Sequence, residues 1–198
     1  LFGTASIGGD EWLSNPSGVV YEIPKTATGY GQQKVLVTFT GNNGSTPSGS
    51  LMTDAQGNLF GTTAEGGANN SGTVFEILKT AAGYDSRPVT LVNFDGMNGA
   101  NPIGDLIADA DGNLFGTTAG NAANGYHSTV FAIVKTATGY DSTPITLVGA
   151  DNLAITSSLI MDAIGDLFGM TSTGGDFGKG QVFELVKRIR AGGLTVLI

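Results

Sequence analysis

At 198 residues with 40% apolar side chains, the chain can bury a substantial core as one domain. A net charge of −8 with only 13% charged residues repels a phosphate backbone, so no nucleic-acid partner is expected. The lack of cysteine excludes disulfides, CxxC zinc sites and thiol nucleophiles, and no apolar run approaches the roughly 18 residues that span a bilayer, so no membrane insertion is expected.

The chain starts Leu1-Phe2-Gly3-Thr4, with no methionine and no basic stretch, so an export signal is expected to have been removed or to lie upstream. These residues read as a strand. An irregular segment, 5–18, leads to a second strand at Val20-Tyr21-Glu22-Ile23, a loop Lys25-Thr26-Ala27-Thr28-Gly29-Tyr30, and a third strand over 35–39. Residues 50–54 then form a strand that turns at Asp54-Ala55-Gln56-Gly57-Asn58 into Leu59-Phe60-Gly61-Thr62. Beyond the loop 64–72 lie Val74-Phe75-Glu76-Ile77, the loop 79–84 and the strand 89–94. The same succession returns as strand 105–109, a turn through Gly112 to Asn113, Leu114-Phe115-Gly116-Thr117, loop 120–128, Val130-Phe131-Ala132-Ile133, loop 135–140 and strand 145–148. A last copy has strand 158–162, a turn through Gly165 to Asp166, Leu167-Phe168-Gly169-Met170, loop 173–180 and Val182-Phe183-Glu184-Leu185. There Lys187-Arg188-Ile189-Arg190 replaces the Lys-Thr-Ala loop, before a final strand over 194–198. β-Branched and aromatic residues fill the runs, and Gly, Asn, Asp and Pro punctuate them. No stretch sustains a 3.6-residue apolar period, so helix is expected to be minor.

The Leu-Phe-Gly string recurs at Leu1, Leu59, Leu114 and Leu167, a spacing of about 53 to 58 residues. That spacing suits a four-stranded propeller blade. The expected fold is all-β: a β-propeller of about four four-stranded antiparallel blades in one repeat domain, 1–198, with units near 1–46, 47–101, 102–154 and 155–198. Apolar residues on both strand faces are what blades stacked face to face require. The first unit lacks the inner strand. Either the chain is part of a longer propeller, or the C-terminal tail or a neighbouring subunit fills the gap, which would allow self-assembly by strand exchange.

The composite pattern Pro-x-Gly-x-Leu-x-x-Asp-x-x-Gly-Asn-Leu-Phe-Gly-Thr-Thr, then Gly-Gly, Gly-Thr-Val-Phe-Glu-Ile and Thr-Leu-Val-x-Phe-x-Gly, is fullest over 47–96. It resembles the GloVer-type tandem repeat of secreted and surface-anchored bacterial and archaeal proteins, across nearly the whole chain. The resemblance implies an extracellular or cell-surface repeat protein and supplies no catalytic residues. The fourth copy departs from it, with Asp166 in place of Asn and Met170 in place of Thr.

The copies act as internal controls. A residue present in all of them serves the sheet, and a residue unique to one is the better functional candidate. Asp54, Asp109 and Asp162, with Gly57, Gly112 and Gly165, are therefore structural, the carboxylates accepting backbone N–H bonds in the turn. Asp109-Ala110-Asp111-Gly112-Asn113 opens like a calcium loop, but Gln56 and Ile164 replace Asp111 elsewhere and the other ligands are missing, so no metal or cofactor is expected. Tyr30, Tyr84 and Tyr140 recur and are expected to pack between sheets. Gly61, Gly116 and Gly169 are expected to permit close backbone approach.

The loops after Leu-Phe-Gly vary in length and content. With the connections between units they are expected to share one face, gathering Asp10, Glu11, Trp12, Glu65, Tyr126, His127, Asp176, Phe177 and Lys179. The connections add Asn42, Asn43, Asp95, Asn98, Asp151 and Asn152. Of these, Asp10, Trp12, Glu65, Tyr126, His127, Asp176 and Phe177 are the candidate ligand-binding residues. Aromatics beside carboxylates and amides suit sugar C–H faces and hydroxyls, so a glycan or protein ligand is the expected partner of a non-enzymatic structural or recognition module. One alternative is a subunit of an extracellular filament or surface layer. The other is a polysaccharide-acting enzyme that pairs carboxylates among Asp10, Glu11, Glu65 and Asp176, with His127 and Tyr126 as acid or base.

Overall fold

The computed structural model describes residues 1–8, 17–121, 124–125, 127–150, 154–190 and 193–197. The chain divides into two compact units, Leu1–Asp95 and Gly96–Ile198. Each holds two antiparallel sheets of three or four strands besides small two-stranded hairpins, and no α-helix occurs among the described residues.

In the first unit, β1 (Phe2–Ala5), β2 (Val19–Glu22) and β5 (Lys34–Thr38) form a three-stranded sheet in that order. The second sheet is ordered β11-β8-β7-β6, from β6 (Ser45–Thr53), β7 (Leu59–Glu65), β8 (Thr73–Ile77) and β11 (Val89–Asn93). In the second unit, β12 (Ile107–Ala108), β13 (Leu114–Thr118), β14 (Ser128–Ile133) and β17 (Ile145–Ala150) form the third sheet. β18 (Ile160–Met161), β19 (Leu167–Thr171), β20 (Gln181–Arg190) and β21 (Gly193–Leu197) form the fourth. The all-β class and the four-stranded antiparallel sheets thus stand as the repeats indicated, and the first sheet has three strands.

Strand register explains why each copy carries Leu-Phe-Gly opposite Val-Phe-Glu-Ile. Gly61 pairs with Phe75, Gly116 with Phe131 and Gly169 with Phe183. A Cβ on Gly116 would lie 2.6 Å from Phe131 Cζ and 3.0 Å from Leu106 Cδ2, and one on Gly61 would lie 2.7 Å from Phe75 Cζ. The glycine makes room for an aromatic ring lying across the strand. The expected close approach is therefore by a side chain and not by backbone.

Within each unit the two sheets pack face to face. Val20, Val37 and Phe39 of the first unit bury against Leu59, Phe75 and Ile77, with Phe2 and Tyr84 at the margin. The Phe39 and Phe75 rings meet edge-on at 5.1 Å, and Phe2 meets Tyr84 at 5.3 Å. In the second unit Phe115, Val130 and Ala132 bury against Ile155, Leu159, Leu167 and Leu185. A threonine following the glycine stitches each junction: Thr4 Oγ1 donates to Gly49 O at 3.1 Å, and Thr117 Oγ1 to Ser157 O at 3.0 Å.

The Lys-Thr-Ala-x-Gly-Tyr segments, expected as loops, are small hairpins: β3 (Lys25–Thr26) with β4 (Gly29–Tyr30), β9 (Lys79–Thr80) with β10 (Gly83–Tyr84), and β15 (Lys135–Thr136) with β16 (Gly139–Tyr140). Gly29, Gly83 and Gly139 adopt positive φ there, a conformation only glycine takes without strain. Lys79 Nζ sits 4.0 Å from the Tyr84 ring centroid, a cation–π contact. Burial, and then the nearby Glu22 carboxylate, push the Tyr84 hydroxyl above its ordinary pKa. Tyr30, by contrast, is 68% exposed.

The fourth copy lacks this hairpin. β20 therefore runs on through Arg190, and β21 pairs with Val186 to Arg190 instead of the half of β20 that faces β19. The final strand begins at Gly193, and Ile198 lies outside the described residues.

Candidate functional site

In the second, third and fourth sheets the turn between the first two strands is organised by one aspartate. Asp54 Oδ1 accepts from Gln56 N at 3.0 Å and Asn58 N at 2.8 Å, while Asn58 Nδ2 donates to Asp54 Oδ2 at 3.0 Å. Asn58 Oδ1 then accepts from Lys79 N at 2.8 Å, tying the turn to the end of the third strand. Asp109 repeats this with Asp111 N, Asn113 N and Asn113 Nδ2. Gly57, Gly112 and Gly165 close the turns with φ of 86°, 82° and 92°. In the fourth copy Asp162 accepts from Ile164 N and Asp166 N, but Asp166 brings a carboxylate where the sister turns bring an amide donor.

Lys187 gives Asp109 a further role. Its Nζ lies 3.1 Å from Asp109 Oδ2 and 3.9 Å from Asp111 Oδ2. With no tyrosine hairpin of its own to stack on, this lysine bridges from the fourth sheet to the third. Burial raises the Asp109 pKa, but hydrogen bonds from Asn113 and Lys187 outweigh it and hold the carboxyl below its ordinary value. The ammonium thus occupies the mouth of the calcium-like sequence. No group of three or more His, Asp or Glu that could hold a metal occurs among the described residues.

The opposite end of each sheet carries the variable loops. In the second sheet Ser45 pairs with Glu65, Thr63 with Thr73 and Asn93 with Thr73, so the loops before β6, after β7 and after β11 leave from one end. Registers in the other sheets put the corresponding loops at one end too. Buried threonine pairs close this end: Thr63 and Thr73 hydroxyls are 2.9 Å apart, and Thr118 and Thr129 hydroxyls 2.8 Å.

In the first unit this end is held by amides and backbone. Gly67 N donates to Gly41 O, Ala68 N to Asn93 Oδ1, Asn69 Nδ2 to Phe94 O, and Thr40 N to Asn43 Oδ1. Glu65 is exposed and accepts a long 3.5 Å bond from Thr46 Oγ1. Asp10, Glu11 and Trp12 lie outside the described residues.

In the second unit His127 is exposed immediately before β14. Phe177 is 88% exposed at the tip of the β19–β20 loop, beside exposed Asp176 and Lys179. That loop is pinned at its base by Gly180 N to Gly174 O at 3.0 Å and by Thr171 Oγ1 to Thr173 O at 2.6 Å. Tyr126, Asp151 and Asn152 lie outside the described residues. The structure therefore places His127, Asp176 and Phe177 on the loop ends of neighbouring sheets of one unit. Met97, 92% exposed, escaped the sequence reading. It belongs to the Gly96–Gly99 turn, where a Cβ on Gly99 would touch Thr118 at 2.9 Å, so it lies at the loop end of the third sheet. Its signal was available: the first copy has Asn42 in its place.

A family model described as the Gloeobacter/Verrucomicrobia repeat matches residues 1–198. No curated protein matches the chain.

Proposed function

The chain belongs to the Gloeobacter/Verrucomicrobia repeat family, and from that premise we propose that it is a non-enzymatic extracellular or cell-surface module. Its sheets are propeller blades, and their loop ends bind a glycan or protein ligand. The propeller reading is supported by equivalent junctions in the two units: the same apolar faces pack, and Thr4 and Thr117 make the same hydrogen bond to the next sheet. The recognition reading is carried by one contrast. The Asp turns at one end of the sheets share one hydrogen-bonding scheme, whereas the opposite end presents Phe177, Met97, His127 and Asp176 on loops that differ from copy to copy. A scaffold held constant beneath varied exposed side chains is how loop-based binding surfaces are built.

A glycan array probed with the whole chain tests this reading. Phe177→Ala, Met97→Ala and His127→Ala, all in the second unit, are each expected to weaken the strongest interaction at least fivefold. Binding that none of the three substitutions alters would overturn the assignment to the loop end.

A further inference from the structure

We propose that the outward face of the fourth sheet binds the outward face of the first sheet of a second copy of this chain, head to tail. Cross-strand partners point to the same side of a sheet, so register identifies each face. Ile160 pairs with Phe168, Phe168 with Glu184, and Met170 with Val182. These residues share one face. The other face, with Leu167 and Leu185, is buried on the third sheet. On the open face Ile160 is 69% exposed, Met170 54% and Val182 72%. Val130, which stands in the third sheet where Val182 stands in the fourth, is fully buried.

The first sheet is open on the reciprocal side. Leu1 and Ile23 exchange backbone hydrogen bonds, Gly3 pairs with Tyr21, and Tyr21 with Val35, which sets Leu1, Tyr21, Ile23 and Val35 on one face. Leu1 is 69% and Val35 47% exposed. In the second sheet the corresponding Leu59, Phe75 and Ile77 are fully buried against the first sheet.

The junctions inside the chain point to the occupant, because their aromatic contact has both halves on the open faces, while Met170 stands where Thr4 and Thr117 donate. Phe2 stands edge-on to Tyr84. The matching residues are Phe168 on the fourth sheet and the exposed Tyr30 of the first. Asp109 is bridged by Lys187 of the following sheet, and the residues at those positions on the open faces, Asp162 and Lys25, are of opposite charge, although Lys25 keeps the tyrosine hairpin that Lys187 lacks. An exposed apolar face of this kind marks an association surface. Because two different faces meet, the contact is heterologous and builds a closed ring or an open filament. This assembly uses sheet faces, so it stands or falls separately from ligand binding at the loop ends.

Sedimentation of the 198-residue chain over a concentration series tests the proposal. The mass is expected to rise with concentration. Val182→Asp and Tyr30→Asp, both at exposed positions, are each expected to remain folded by circular dichroism and monomeric alone, yet to form a one-to-one heterodimer when mixed. Ile164→Asp, 76% exposed in the β18–β19 turn, is expected to assemble like the parent. A parent chain that stays monomeric throughout would overturn the proposal, as would Tyr30→Asp assembling alone through paired fourth sheets. The chain lacks native cysteine, so a Tyr30→Cys, Phe168→Cys double variant with a short bismaleimide gives a direct readout. Crosslinked dimers support the contact, whereas crosslinks confined to single chains would show the faces meeting within one molecule and refute it.

Discussion

Adding one methyl group at Gly116 tests the logic of the sheets. Gly116 lies in regular strand, so the backbone itself accepts alanine, and lowering the entropy of the unfolded chain would alone gain about 0.5–1 kcal/mol. The new Cβ, however, would sit 2.6 Å from Phe131 Cζ, 3.0 Å from Phe131 Cε1 and 3.0 Å from Leu106 Cδ2. Carbon atoms rest at about 3.5–4.0 Å, so the ring must retreat by roughly 1 Å. Phe131 is completely buried, and its retreat displaces packed neighbours, an overpacking cost of about 1–3 kcal/mol. Gly116→Ala is expected to lower stability by about 1–2 kcal/mol net, read by urea denaturation followed by far-UV circular dichroism. Gly149→Ala is the control: its Cβ would meet nothing nearer than 3.4 Å, so stability is expected to hold or rise slightly. Phe131→Leu combined with Gly116→Ala is expected to show a favourable coupling of about 1 kcal/mol in a double-mutant cycle. A Gly116→Ala protein as stable as the parent, or a coupling of zero, would refute the claim that the glycine exists to seat the ring.

Asp166→Asn restores the amide that donates to the turn aspartate in the sister copies and is expected to raise stability by about 1 kcal/mol in the same denaturation assay. Thr118→Val removes the hydroxyl that bonds Thr129 Oγ1 and accepts from Thr129 N at 3.1 Å, and is expected to cost about 1–3 kcal/mol because buried partners lose their mate. Lys187→Met is expected to cost about 1–3 kcal/mol at neutral pH. Since the folded-state pKa of Asp109 is depressed, this contribution is present above the ordinary aspartate value and is lost as pH falls through the folded one. The parent and Lys187→Met stabilities are therefore expected to converge on acidification, as measured by denaturation at stepped pH.

The sheet pattern was legible because each copy repeats local rules. Leu59-Phe60-Gly61 and Val74-Phe75-Glu76 carry strand propensity in the sequence itself, and Asp54 with Gly57 announces the turn, whereas the pairing of Gly61 with Phe75 emerged only from the register. The Thr26-Ala27-Thr28-Gly29 hairpin was missed because its strands are two residues long and solvated, with no apolar alternation to mark them. The altered end of the fourth sheet was harder still. Replacing Lys-Thr-Ala with Lys187-Arg188-Ile189 removes the hairpin, but only tertiary packing shows that Lys187 then reaches Asp109. At the candidate site the sequence marked the irregular loops and singled out Phe177 and His127, and strand register then put the loops of each sheet at one of its ends. Met97 was passed over, its mark being not a period but a difference between copies, with Asn42 standing in its place in the first. The open faces of the first and fourth sheets were invisible, because Val182 and Val130 are the same residue type and differ only in what covers them.

The way the β19–β20 loop is anchored has a practical consequence. Gly174, Gly175, Gly178 and Gly180 hold its bends, and its closing hydrogen bonds are made by backbone atoms and the Thr171 hydroxyl, so the tip residues Asp176 and Phe177 carry none of the closure. Foreign peptides grafted between Gly175 and Gly178 would be displayed in a constrained bend, and randomising those two positions would yield a library whose members all inherit the parent framework.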